Sequence, residues 1–535
     1  MLSQPCKVFG RLAVLGITSF APVVAQTPTV SIASGVIVGT IATPSNQPSA
    51  NATANVFQGI PFAQSPPERF SPPSAPAAWK SPLQATQLPP ACIQQFSGSG
   101  ALQQFMIDTF DNPGGQPLPE SEDCLYLNIY APADASPTNL KPVLFWIFGG
   151  NLQFGSGSVA QYDGTSFAVN QDVVVVTFNY RTNIFGFSSS PQIPFGEQNV
   201  GYLDQRFALS WVQDNIAQFG GNPDQVTIFG ESAGGYSVKQ LLANPPSPLP
   251  FAAAIMESQQ AGLTGDGLES YYMVLSNFSC ETASSPIDCL RHVPATEIKA
   301  FIESQSLLFP PVDNDGTQLN DVRSSISSKK FANVPIFLGT NANEGRVFVA
   351  ALGLSNSTNL IDQVLNMSSL ENSILALYAA GIVNDEYLLA SQILTDAIFT
   401  CTTASLSNYA VESGYTAWRY RYAASFPNTS PFNEAGAWHS SEIPEVFGTY
   451  PLSNQYGTVT TQQIKLSQYM QRIWADFAKN PSAGPGWPAL GTNWRWELGD
   501  IGDNGSTNEK TIQLEDHDYV CVVYDPIVQA IGSGY

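Results

Sequence analysis

The chain has 535 residues, 43% of them hydrophobic and only 12% charged, which excludes a disordered chain and leaves room for a large core. Its formal net charge is −22, from 43 acidic and 21 basic residues. Such a surface repels phosphate backbones and anionic headgroups, so nucleic acid is excluded as a partner and binding to an anionic membrane surface is disfavoured.

Lys7 and Arg11 precede an apolar run, Leu12 to Ala25, that is too short to span a bilayer. Small residues at Val23 and Ala25 stand before a cut ahead of Gln26. Residues 1–25 are therefore expected to be a signal peptide and 26–535 the mature domain. Of seven cysteines, Cys6 falls in that leader. The other six, Cys92, Cys124, Cys280, Cys289, Cys401 and Cys521, fit three disulfides in an oxidising, extracellular compartment. Spacing favours the pair Cys280 and Cys289. Sequons at Asn51, Asn277, Asn356, Asn366, Asn428 and Asn504 agree with a secreted glycoprotein. The chain has no C-x-x-C and no histidine cluster, so no metal is expected.

After a proline- and serine-rich stretch at 44–90, strand-like runs begin. Pro142 to Phe148 ends in Gly149-Gly150, and Asp172 to Tyr180 is a continuous apolar run suited to a strand covered on both faces. Leu209, Val212, Ile216 and Phe219 mark one helix face, with Gly220 placed for a C-terminal cap. Short apolar runs follow at 225–229, 252–258 and 334–340, and the aromatic-rich run at 415–424 has strand alternation. The remainder after residue 350 is expected to be mostly helical. Strands alternating with helices predict an α/β chain with a large, mostly parallel sheet flanked by helices in one domain.

The run Val226 to Phe229 leads into Gly230-Glu231-Ser232-Ala233-Gly234, a G-x-S-x-G pentapeptide followed by helix-compatible residues. A strand, a sharp turn and a helix form the context of a nucleophile elbow, which pushes the Ser232 hydroxyl out beyond the strand end. A serine needs a base. The chain holds three histidines. His517 lies in an acidic surface segment and His292 beside a cysteine, while His439 stands in a loop of small residues and is favoured. Glu344, just past the run at 334–340, suits the orienting acid; Asp313, Asp315 and Asp396 remain open. Backbone donors for an oxyanion are expected from Ala233 and the Gly149-Gly150-Asn151 turn.

The segments "SEDCLYLNIY", "NYRTNIFGF", "NVGYLDQRFALSWVQDNIAQFGGNPDQVTIFGESAGG", "GTNANEG" and "HSSEIPEVFG" together resemble blocks of the type-B carboxylesterase/lipase family, which has the α/β-hydrolase fold and includes cholinesterases and fungal lipases. The resemblance implies Ser232 as nucleophile, Glu344 as acid, His439 as base, and Gly150, Asn151 and Ala233 as the oxyanion hole. It implies bridges Cys92–Cys124 and Cys280–Cys289, and by analogy with cholinesterases Cys401–Cys521, with Arg69 and Glu122 as an ion pair. Glu231 and Ser258 fall beside the triad. The chain departs from the family pattern at Asn151, where a third glycine is common, at Ser440, where glycine is usual, and at Ser258-Gln259-Gln260, where the family has Ser-Gly-Ser.

Between Cys92 and Cys124, Leu102, Phe105, Met106 and Phe110 recur at helical spacing, as in an amphipathic lid or an ordinary packed helix. That loop has no tryptophan, which disfavours choline esters. The expected activity is that of a secreted serine carboxylic-ester hydrolase working through an acyl-enzyme on apolar acyl esters. No cofactor, metal, nucleic acid or obligate protein partner is expected, only a small-molecule or lipid ester and transient contact with a lipid interface. The alternatives are a catalytically silent binding module of the same fold and an esterase tuned to aromatic, phenolic esters.

Overall fold

The computed structural model describes residue 1 and residues 27–524, apart from 48–50, 99, 261, 264, 355, 366 and 379–384. The expected signal peptide and the sequon at Asn366 therefore lie outside the described residues.

Fourteen strands occur among the described residues. In chain order they are β1 (Thr29–Ile32), β2 (Gly35–Val38), β3 (Thr40–Ala42), β4 (Ala54–Pro61), β5 (Leu83–Gln84), β6 (Tyr126–Pro132) and β7 (Lys141–Ile147). There follow β8 (Val174–Phe178), β9 (Gly221–Glu231), β10 (Ala253–Glu257), β11 (Ile336–Asn341), β12 (Ala417–Tyr422), β13 (Glu497–Ile501) and β14 (Glu509–Gln513). Eleven of them form one sheet in the order β14-β13-β12-β11-β10-β9-β7-β8-β6-β4-β3. From β8 to β13 every neighbouring pair is parallel, and antiparallel strands close both edges.

Burial follows this layering. Every residue of β8, β10 and β11 is buried, whereas the edge strand β14 has only half-buried and exposed positions. Parallel strands need crossovers, and the helices that make them cover both faces, so central strands become apolar throughout. The helix Val200–Asn215 continues as a tighter turn, Ile216–Phe219, and Gly220 ends it at φ 82°. Leu209, Val212, Ile216 and Phe219 are all buried, as their spacing requires. The long helix Thr461–Lys479 packs Trp474 into the core against Phe337 of β11 and Tyr420 of β12.

The described cysteines pair as Cys92–Cys124, Cys280–Cys289 and Cys401–Cys521. Arg69 grips Glu122 through two hydrogen bonds of 2.6 Å, beside the first of these bridges. Asn51, Asn277 and Asn504 are exposed. Asn428, one of the sequon residues, is buried and its amide donates to the Tyr450 carbonyl at 2.9 Å.

Candidate active site

The ends of β9, β10 and β11 build the site. Ser232 follows β9 at φ 57° and ψ −122°, and the helix Ala233–Ala243 starts directly behind it. Left-handed φ is costly for a serine and persists only where the surroundings enforce it. Here Ser232 N donates to Glu257 O at the end of β10, and Ser232 O accepts from Tyr236 N in the helix. The turn also needs small neighbours. A Cβ at Gly234 would lie 2.0 Å from the carbonyl oxygen of Ile147 in β7, and one at Gly230 would lie 2.5 Å from the same atom.

The loop after β7 brings Gly150 and Asn151 beside Ser232, at φ 96° and 55°. A Cβ on Gly150 would meet the Phe154 carbonyl oxygen at 2.3 Å, so only glycine fits there. Gly150 and Asn151 line the cavity that Ser232 faces, and Ala233 opens the helix whose N-terminus points at it.

His439 is buried and both its ring nitrogens face carboxylates. Nδ1 lies 2.7 Å from Glu344 Oε2, and Nε2 lies 3.1 Å from Glu231 Oε1. Glu344 sits just past β11, held by a hydrogen bond of 2.6 Å from Asn341 N to its other oxygen. The acids left open by sequence have other partners. Asp396 accepts from Tyr378 and Gln392, Asp315 from Thr317, and Asp313 from Gln318. The remaining histidines lie elsewhere, His517 against Asp518 and His292 against the Asp288 carbonyl.

Burial lowers the His439 pKa, but the charges of Glu231 and Glu344 and the Glu344 hydrogen bond outweigh it, and the net shift is upward from 6.5. Burial raises the Glu231 carboxyl, opposed by His439 and by a 2.6 Å hydrogen bond from Ser440 Oγ. Ser440, where glycine is usual, takes φ 76° and uses its hydroxyl to hold that carboxylate.

Among the described residues, neither the Ser232 nor the Ser258 hydroxyl hydrogen-bonds to His439 or Glu344. The Ser232 hydroxyl donates to Gln260 Oε1 at 3.4 Å, and among the described residues no hydrogen bond joins it to His439. The imidazole Nε2 is turned to Glu231 instead, an arrangement familiar where catalytic bonds tighten only with substrate present. Ser258, expected beside the triad, is buried, and its hydroxyl has no hydrogen-bond partner among the described residues. Its φ of 47° and its backbone bond to Gly339 O tie it to the sheet instead.

Ser232, His439, Glu231 and Gln260 open on one cavity of about 390 Å³. Its apolar wall is Phe348, Leu352, Leu365, Leu394, Ile398 and Phe399. The rings of Phe399 and Phe348 lie 4.7 and 5.0 Å from the imidazole, screening it from water. Ile398 and Phe399 stand on a wide-turn stretch, Thr395–Thr400, of the kind that often re-aims side chains at functional sites. None of these wall residues carried a sequence signal, because an apolar helix face lining a cavity has the same spacing as one lining a core. The helix Ala101–Phe110 contributes Met106 and Phe110 to the cavity lining, with Phe105 against Phe432 and Leu102 exposed.

Comparison with known proteins agrees with this architecture. The sequence pattern described as the carboxylesterase family matches residues 26–517. Carboxylesterase 1D of Mus musculus is 34% identical over 477 residues, 81% of this chain and 83% of the relative. Cocaine esterase of Homo sapiens is 34% identical over 471 residues, 82% of each chain. The medium-chain fatty acyl-CoA hydrolase precursor of Anas platyrhynchos is 31% identical over 505 residues, 87% of this chain and 88% of the relative. The chain belongs to the carboxylesterase family, with its α/β-hydrolase fold, and carboxylic-ester hydrolysis is the activity this membership assigns to it.

Proposed function

We propose that the protein hydrolyses esters by a serine mechanism with Ser232 as nucleophile, His439 as base and Glu344 as the acid that orients it. The observation that carries this reading is the convergence of the Ser232 elbow and the His439–Glu344 pair on a single cavity. With an ester bound, the Ser232 hydroxyl turns from Gln260 to His439 Nε2, gives up its proton there and attacks the carbonyl carbon. Glu344 holds the Nδ1 proton and stabilises the imidazolium. Backbone N–H groups of Gly150, Asn151 and Ala233 receive the oxyanion. His439 then returns its proton to the leaving alcohol, and water, deprotonated by the same imidazole, releases the acid from the acyl-enzyme.

The apolar wall favours medium-to-long, unbranched acyl groups, and the protein needs neither metal nor cofactor for this chemistry. Three disulfides support action in an oxidising, extracellular setting after removal of residues 1–25. No helix among the described residues is long and apolar enough to cross a membrane. Ser232→Ala is expected to lose at least about a thousandfold in kcat. A p-nitrophenyl ester series is expected to peak above butanoate. Turnover by the Ser232→Ala protein at the parental rate, or a strict preference for acetate, would overturn the mechanism or the substrate class respectively.

A further inference from the structure

Asn151 and Gln260 are 109 residues apart and hydrogen-bond each other beside the nucleophile. Gln260 Nε2 donates to Asn151 Oδ1 at 3.2 Å and to Gly262 O at 3.1 Å, while Gln260 Oε1 accepts from Ser232 Oγ at 3.4 Å. The Gly262 carbonyl facing Nε2 fixes which end of the amide is which, because the flipped amide would set oxygen against oxygen there. The Gln260 main chain is anchored in turn, since the buried ammonium of Lys239, in the helix behind Ser232, donates to the Gln260 carbonyl at 3.4 Å.

We propose that Gln260 is a positioning residue of the ester-hydrolysing site, its side-chain amide bridging Ser232 and the oxyanion loop at Asn151. The inference rests on the assignment of Ser232 as nucleophile made above. Asn151 holds φ 55°, a left-handed conformation that asparagine adopts more readily than other non-glycine residues and that is steadier when its side chain is held by a hydrogen bond. Gln260 supplies that bond, and so fixes the peptide whose N–H is to meet the developing oxyanion. Donors of this kind accelerate a reaction only if they are aimed before charge develops. The other end of the amide holds the Ser232 hydroxyl by a long, weak bond, so the nucleophile is kept at the cavity mouth and released without much cost when an ester arrives. A glycine-only loop lacks this tether; the polar pair replaces it.

The test uses Gln260→Met, which keeps the volume and removes all three side-chain polar contacts, Asn151→Gly, which keeps the backbone N–H and removes the tether, and the double variant. Steady-state kinetics on p-nitrophenyl butanoate and inhibition by an alkyl boronic acid, a mimic of the tetrahedral intermediate, are measured for each. Each single variant is expected to lose about tenfold in kcat with KM within about twofold, and to bind the boronic acid about tenfold more weakly. The double variant is expected to be no worse than either single one, because both break one bridge. Losses that multiply, an effect on KM alone, or unchanged kcat and inhibition would each overturn the proposal. If Gln260→Met does not fold, Asn151→Gly alone decides by the same kcat and boronic-acid readouts. Ser232→Ala is run beside them. Persisting turnover there overturns the nucleophile assignment, whereas a dead Ser232→Ala with additive bridge variants overturns only the bridge.

Discussion

Glu231→Gln removes one of the two carboxylates that bracket His439 while keeping the shape of the side chain. In the parent, Glu231 Oε1 is 3.1 Å from Nε2 and Glu344 Oε2 is 2.7 Å from Nδ1, with all three groups buried. Both charges are delocalised, so their centres lie about 5 Å apart, and at an effective dielectric constant of about 20 they attract by about 3 kcal/mol. That attraction favours the imidazolium and so raises the His439 pKa. Burial draws Glu231 itself towards its protonated form, which cuts its average charge and weakens this attraction without reversing its sign. The sign follows from the proton. The negative charge favours imidazolium, whereas catalysis needs neutral imidazole, so the parent loses activity below a midpoint that lies above 6.5. The variant should hold its activity to lower pH. The assay is kcat/KM for a soluble p-nitrophenyl ester from about pH 5 to about pH 9, with the acid limb fitted to one ionisation. An acid limb that stays in place or moves to higher pH would refute the claim that Glu231 charges His439 in the resting site.

Gly234→Ala forces a Cβ to within 2.0 Å of a backbone oxygen in β7, and a loss of about 3 kcal/mol in urea unfolding together with loss of ester turnover is expected. Removing Cys401–Cys521, which closes 120 residues, should cost about 5 kcal/mol, against about 2.5 kcal/mol for Cys280–Cys289, which closes nine; equal losses on denaturation would contradict the loop-entropy account. Burial pushes the Glu445 carboxyl from its ordinary 4.5 up to about 8, against a hydrogen bond from Gln463. Between those values the folded chain keeps a proton the unfolded chain has lost, so stability is full below 4.5 and falls as pH rises through 8. Glu445→Gln should therefore gain on the order of a few kcal/mol over the parent at about pH 8.5 and little at about pH 4, measured by urea unfolding.

The sequence by itself determined whatever depends on neighbours in the chain. The β-branched run of β8, the buried face of the helix Val200–Asn215 with Gly220 behind it, and the elbow at Ser232 are local, because periodicity and turn chemistry act over a few residues. The resemblance of whole blocks pointed beyond that to Glu344 and His439. Only the tertiary structure decided which atoms meet. Glu344 and His439 are 95 residues apart, Ser440 and Glu231 209, and Gln260 and Asn151 109. The turn of His439 towards Glu231, the idle hydroxyl of Ser258, the burial of Asn428 and the apolar wall around Phe399 belong to the same class. Each depends on where separate strand ends and helices come to rest in the folded sheet, and residue type and spacing carry no record of distance across it.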